Sequence, residues 1–148
     1  MNFKEFLYKN KLKQVDIAKY LNITEASVSR FAKGIANPSK ENLCKLLDNP
    51  YINHLTWLGG EPTMWASAIA DINRQIKDKF PNKKIWLYSG HTLEELLNNL
   101  TTRDLLYTID VLVDGPFIND KKNIDLKFRG SSNQRIIDNI NGLFFIRK

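Results

Sequence analysis

At 148 residues and 43% hydrophobic side chains the chain suits one ordinary domain or two small ones, and it is apolar enough to pack a core, which excludes a disordered protein. The net charge of +6 favours anionic partners and is unevenly placed, with nine Lys/Arg against five Asp/Glu in residues 1–50 and thirteen against eleven in residues 51–148. A single cysteine, Cys44, excludes an intrachain disulfide and a multi-cysteine metal site built by this chain alone, and it fits a reducing cytoplasm.

The opening, MNFKEFLYKNKLKQ, is charged every few residues, and no apolar run nears the roughly 20 residues of a membrane span. Neither a signal peptide nor a membrane is expected. Phe3, Phe6 and Leu7 recur at helical spacing between the cap Asn2 and the stop Asn10, which predicts a short first helix. A second is expected from Gln14 to Leu21 with Val15, Ile17, Ala18 and Leu21 inward, and Asn22 tolerates the left-handed turn after it. Thr24 caps a third, Glu25 to Lys33, with Val28 and Phe31 inward, and Gly34 ends it. Pro38-Ser39 opens a fourth, cored by Leu43, Leu46 and Leu47.

Two short helices joined by a tight turn, the second presenting small polar residues and an arginine, predict a helix-turn-helix. Short side chains let such a helix sit deep in a major groove, where Arg30 reaches a guanine edge or a phosphate and Gln14 holds a phosphate. The expected DNA contacts are Gln14, Glu25, Ala26, Ser27, Ser29, Arg30 and Lys33. The order Gln14-Val15-Asp16-Ile17-Ala18, Leu21-Asn22-Ile23-Thr24, Ala26-Ser27-Val28-Ser29-Arg30-Phe31 and Lys33-Gly34-Ile35-Ala36-Asn37-Pro38-Ser39 resembles the phage-repressor class of helix-turn-helix domains, the Cro and lambda-repressor type. Asn22 stands where that class usually has glycine, and Asn49-Pro50-Tyr51 interrupts where it commonly adds a fifth helix.

Asn53 to Trp65 marks a change of pattern. Leu55-Thr56-Trp57-Leu58 is β-prone, Gly59-Gly60 permits tight turning and close approach to a ligand, and Thr63 is placed to cap a helix. Ile69, Ile72 and Ile76 then mark a helix that runs to Lys79 and stops at Phe80-Pro81-Asn82. Lys84 to Tyr88 reads as a strand, Ser89-Gly90 as a turn, and Thr92 with Glu95 as a capping box for the helix of Leu93, Leu96, Leu97 and Leu100. Helical structure resumes at Leu105-Leu106-Tyr107 after a break at Thr101-Thr102, and Ile109 to Val113 is a buried strand closed by Asp114-Gly115-Pro116. This alternation predicts a small parallel sheet, with ligands beyond the carboxyl ends of its strands.

The stretches Gly59-Gly60-Glu61-Pro62, Lys84 to Gly90, Thr92 to Leu96, Ile109 to Phe117 and Phe128-Arg129-Gly130-Ser131-Ser132-Asn133-Gln134-Arg135-Ile136-Ile137 resemble the activating protein of anaerobic ribonucleotide reductase, a small radical S-adenosylmethionine enzyme. The resemblance implies that Gly59, Gly60, Glu61, Ser89 and Asp114 lie at a remnant of the cofactor site; it implies no role for Ser131 to Arg135. The family's C-x-x-x-C-x-x-C loop is missing, and Cys44 alone does not supply the three thiolates of its cluster. His54 and His91 lack ligand-like spacing to each other or to Cys44.

The expected fold is therefore α plus α/β: an all-α helix-turn-helix bundle over residues 1–57, then an incomplete parallel α/β segment, part of a radical S-adenosylmethionine barrel, over 58–148. The expected function is DNA binding and transcriptional regulation, with no catalysis by the chain as it stands. The alternative is the reductase-activating protein itself, or an inactive docking remnant of it. Expected partners are double-stranded DNA, the anaerobic reductase and a second copy of the chain. No catalytic residue, metal ligand or bound cofactor is expected: an iron–sulfur cluster is excluded for want of cysteines, while weak S-adenosylmethionine binding at the glycines survives.

Overall fold

Residues 13–32 and 39–147 are described by the computed structural model, and they fall into two units, Met1–Pro50 and Tyr51–Lys148. In the first unit the described helices are α1 (Gln14–Leu21), α2 (Glu25–Ala32) and α3 (Lys40–Asp48). Ile17, Ala18, Leu21 and Val28 are buried together, with Ile23 and Leu46 packed against them. Asn22 adopts the left-handed conformation (φ 55°, ψ 49°) that a turn after Leu21 requires. The Thr24 hydroxyl accepts from the Ser27 N–H at 3.2 Å, so the expected cap is made, and at the start of α3 the Ser39 hydroxyl accepts from the Asn42 N–H at 3.2 Å. Three helices around a small core are a coarser object than a helix-turn-helix bundle. The helix expected at Phe3 to Leu7, and Lys33 and Gly34 at the end of the third, lie outside the described residues.

The second unit is a five-stranded sheet in the order β1-β2-β3-β4-β5: His54–Trp57, Lys84–Tyr88, Val111–Asp114, Arg135–Ile140 and Leu143–Ile146. β1, β2 and β3 are parallel, with Trp57 beside Leu87 and Tyr88 beside Val113, whereas β4 and β5 are antiparallel. The expectation of an all-parallel sheet is thus corrected to a mixed one. The hairpin signal was present in the chain, since Asn141-Gly142 (φ 53° and 84°) supplies the left-handed pair that a two-residue turn demands. A Cβ on Gly142 would also meet the Tyr107 ring at 3.2 Å. Gly142→Ala is therefore expected to lower the unfolding free energy by about 1 kcal/mol, read from the urea midpoint, and an unchanged midpoint would mean that this turn does not set the β4–β5 register.

Since β1 is hydrogen-bonded to β2 from His54 onward, the residues just before 58 are part of the sheet and the second unit begins at Tyr51. Helices α4 (Ala66–Lys79), α5 (Leu93–Leu97) and α6 (Leu100–Leu106) cover one face. Ile69, Ala70, Ile76, Leu96, Leu105 and Leu106 bury against Ile85, Leu87, Leu112 and Ile137, which the two-residue strand period turns to the same side. Asn73 is the polar exception in this core: it accepts from the Trp57 indole at 2.8 Å and donates to the Thr108 hydroxyl at 2.9 Å, joining β1, α4 and the turn that follows α6. Two boundary expectations shift. The break between α5 and α6 falls at Asn98-Asn99, where the Asn99 side chain caps Thr101 and Thr102, and Glu61, not Thr63, caps the 3-10 turn Pro62–Trp65 ahead of α4.

Candidate functional site

The carboxyl ends of β1, β2 and β3 share one edge of the sheet, and the turns that leave them are Leu58 to Glu61, Ser89-Gly90 and Asp114-Gly115. Gly59 and Gly60 have φ +95° and +56°, a region that only glycine enters cheaply, and beyond the adjoining residues no atom lies within 4 Å of the place where either would carry a Cβ. Their backbone is consequently open to an approaching ligand.

Glu61 holds this turn to the next one. One carboxylate oxygen accepts from the Thr63 N–H (3.2 Å), the Thr63 hydroxyl (2.7 Å) and the Ser89 hydroxyl (3.0 Å), and the other accepts from the Gly90 N–H (2.8 Å). Burial works against the charge on Glu61, but these hydrogen bonds outweigh it and hold its pKa below the ordinary carboxylate value. A Cβ on Gly90 would meet the same carboxylate at 3.4 Å. Ser89, itself buried, passes the connection on, its oxygen accepting from the His91 N–H at 3.0 Å.

Asp114, 1% exposed at the end of β3, is engaged from two sides. Its carboxylate accepts from the Leu93 N–H at the start of α5 (2.7 Å) and from Arg135, whose Nε lies 2.9 Å away and whose terminal nitrogen makes a second, shorter contact. Arg135 also forks onto Glu94 at 3.0 and 2.7 Å, and its guanidinium holds the Glu94 carboxyl down to about 2. Hydrogen bonding to Asp114 and then Glu94 raises the Arg135 pKa in turn.

Of the residues expected at the cofactor site, Glu61 and Ser89 touch, Gly59 and Gly60 lie on the same turn as Glu61, and Asp114 belongs to the neighbouring strand end. Arg135, Glu94 and Thr63 were not among the residues expected at this site. The one sign of Arg135 was its place in the stretch Phe128 to Ile137, because its partners lie 21 and 41 residues away. At the opposite edge a recess of about 830 Å³ is lined by Arg74, Lys77, Lys84, Tyr107 and Asp110 among others. Asp110 there already accepts from the Lys77 and Lys84 ammonium groups and the Ile85 N–H, which makes the recess a junction of strand beginnings.

The residues expected to meet DNA fall as follows. Glu25, Ala26 and Arg30 are exposed on α2, Ser27 and Ser29 are half-buried there, Gln14 opens α1, and Lys33 is outside the described residues. A polar outer face is what any helix leaves once Val28 is packed inward, so it carries no specific signal for a groove.

The family described as 4Fe-4S single cluster domain matches residues 21–137. The anaerobic ribonucleoside-triphosphate reductase-activating protein of Vibrio cholerae is 43% identical over 84 residues, 55% of this chain and 53% of that protein. The protein of the same name from Pasteurella multocida is 38% identical over the same shares. That of Enterobacteria phage T4 is 34% identical over 112 residues, 73% of this chain and 67% of the phage protein. The chain thus spans about half the length of the first two relatives. No solved structure matches.

These findings overturn two expectations. The DNA-binding regulator is replaced by a reading in line with the reductase-activating relatives, since the matched stretch starts within α1 and runs through α2 and α3 into the sheet. The expectation of no cofactor is replaced at the level of the family, which is defined by a four-iron cluster. The residues of this chain do not by themselves fit such a cluster: Cys44, half-buried on α3, is its single cysteine, and among the described residues no group of three His, Cys, Asp or Glu could hold a metal. Among those residues, too, no helix is long and apolar enough to cross a membrane. Because the family match takes in most of the chain, and the phage relative is covered over two thirds of its own length, the chain belongs to the 4Fe-4S single cluster domain family.

Proposed function

We propose that this chain serves the activation of an anaerobic ribonucleoside-triphosphate reductase, with the carboxyl edge of its sheet as the face that receives S-adenosylmethionine. The observation that carries the reading is the Glu61 clamp, which spends its carboxylate on Thr63, Ser89 and Gly90 and so presents the backbone of Gly59 and Gly60 in an open, left-handed turn. Backbone N–H and C=O groups held in this way suit the zwitterionic methionine end of the cofactor. The names of the relatives supply the partner. A cluster of the family's kind, whose three thiolate ligands Cys44 does not by itself supply, would together with S-adenosylmethionine provide one-electron chemistry. This chain's own residues bind and orient, and Cys44 is the one thiolate it offers. A cytoplasmic setting goes with this reading.

The test is calorimetric titration of the purified chain with S-adenosylmethionine, beside sedimentation with an anaerobic reductase. A saturable heat and a co-sedimenting complex are expected. Absence of both would overturn the proposal.

A further inference from the structure

Beyond the last backbone pair of β3 and β4, Asp114 with Arg135, side chains carry the antiparallel register onward. Arg135 donates to Asp114, Gln134 donates through Nε2 to the Gly115 carbonyl (3.1 Å), and Asn133 donates to the Pro116 carbonyl (2.8 Å). The Ser131 hydroxyl, fully buried, accepts from the Ile118 N–H at 3.3 Å. Gln134 does more than its neighbours, because its Oε1 also accepts from the Gly130 N–H (2.9 Å) and the Ser131 N–H (3.2 Å). One amide thereby ties the end of β3 to the returning end of the β3–β4 connection.

That connection is itself a small hairpin, with Lys122 bridged to Ser131, the Asn123 N–H donating to the Gly130 carbonyl (3.1 Å) and the Ser132 N–H to the Lys121 carbonyl (2.8 Å). It lies against the sheet face that the helices leave uncovered. There the Phe128 ring is 5.3 Å from that of Trp86, and the Phe128 carbonyl accepts from the Tyr88 hydroxyl at 2.8 Å. Phe128 does so at φ +64°, a conformation that side-chain-bearing residues adopt only when their surroundings hold them in it. Two contacts at its tip and the Gln134 amide at its base supply that hold.

We propose that Gln134 is the positioning residue of this connection: its amide oxygen fixes the hairpin over Trp86 and Tyr88, while its amide nitrogen fixes the Gly115 strand end beside the candidate site. The second half rests on the proposed function for the identity of the ligand; the first does not. The two halves separate chemically. Gln134→Glu keeps carboxylate oxygens for the Gly130 and Ser131 N–H groups but has no hydrogen to offer the Gly115 carbonyl, whereas Gln134→Ala loses both connections.

Amide exchange followed by NMR on the full chain decides the first half. Gln134→Ala is expected to speed exchange of the Ile118, Asn123 and Ser132 amides, none of which Gln134 touches, by about tenfold or more, with the β2 and β3 amides unchanged. Gln134→Glu should stay near wild type at those three amides. Wild-type exchange in Gln134→Ala, or a Gln134→Glu protein as fast as Gln134→Ala, would overturn it. Should the alanine variant not fold, Gln134→Asn, too short by one methylene to reach across, takes its place with the same expectation. Titration with S-adenosylmethionine decides the second half: affinity reduced about tenfold in both variants supports it, and equal affinity in all three proteins overturns it. A wild-type chain that binds none would instead overturn the proposed function, and the exchange result would still decide what Gln134 does.

Discussion

Arg135→Ala is expected to destabilise the second unit by about 3–5 kcal/mol, the cost typical of stripping a buried ion pair of one partner. The reason is Asp114, whose side chain is 1% exposed and which, among the described residues, is left without Arg135 with the Leu93 N–H for its charge. Arg135→Lys should fall between, since a single ammonium cannot fork onto Asp114 and Glu94 together. Glu94→Gln should cost no more than about 1 kcal/mol, because Glu94 is 65% exposed and its share of the pair is screened by water. Urea unfolding of the three variants gives the ranking, and a loss below about 1 kcal/mol in Arg135→Ala would show that Asp114 finds other partners.

The same variant predicts a titration. Glu94 in the folded chain sits at about 2, below its ordinary 4.5, so its stabilising contribution is present above 4.5 and is lost as pH falls toward 2. In Arg135→Ala its carboxyl resonance should titrate at higher pH than in the wild type, while the hydrogen bonds from its own backbone N–H and from Thr92 still favour the charged form.

Glu61→Gln is expected to cost about 1–3 kcal/mol and to weaken S-adenosylmethionine binding at least about tenfold. A carboxylate accepts on both oxygens, and the native one does so from Thr63, Ser89 and Gly90. The amide of glutamine must turn an NH2 group toward one of those donor sets, leaving the Gly90 N–H or the Thr63 and Ser89 groups facing another donor. The Gly59-Gly60 turn then loses its tie to the end of β2. Because Glu61 is held ionised by these hydrogen bonds, its contribution is present above its ordinary carboxylate pKa and is lost as pH falls below it. The wild-type chain should therefore release the ligand on acidification, and Glu61→Gln should bind with an affinity insensitive to pH over that range. An equal pH dependence in both proteins would assign the titration to another group.

Local signals were read from the chain wherever neighbours in sequence are also neighbours in space. The capping box of Thr92 and Glu95, the left-handed Asn22, the Thr24 cap and the strand Lys84–Tyr88 all depend on residues within four positions of each other, and all appear as expected. The DNA-binding reading failed on the same kind of signal. A short amphipathic helix after a tight turn records only that one face is buried and the other wet, and that pattern does not name what the wet face meets.

Among the described residues the amino-acid sequence by itself determined helices α1 to α4 and the capped start of α5, the three parallel strands and the gathering of Gly59-Gly60, Ser89-Gly90 and Asp114-Gly115 at one edge, since hydrophobic period and turn chemistry are local quantities. Only the tertiary structure decided that β4 and β5 complete the sheet, that Glu61 faces Ser89 across 28 residues, and that Arg135 reaches Asp114 and Glu94 across 21 and 41. β4 reads Arg135-Ile136-Ile137-Asp138-Asn139-Ile140, with apolar and charged residues on both faces, because one face meets the helices and the other carries the Asp138–Arg147 pair. Alternation is blurred under such conditions, and the partner of a charged side chain depends on where the chain returns, which no local window contains.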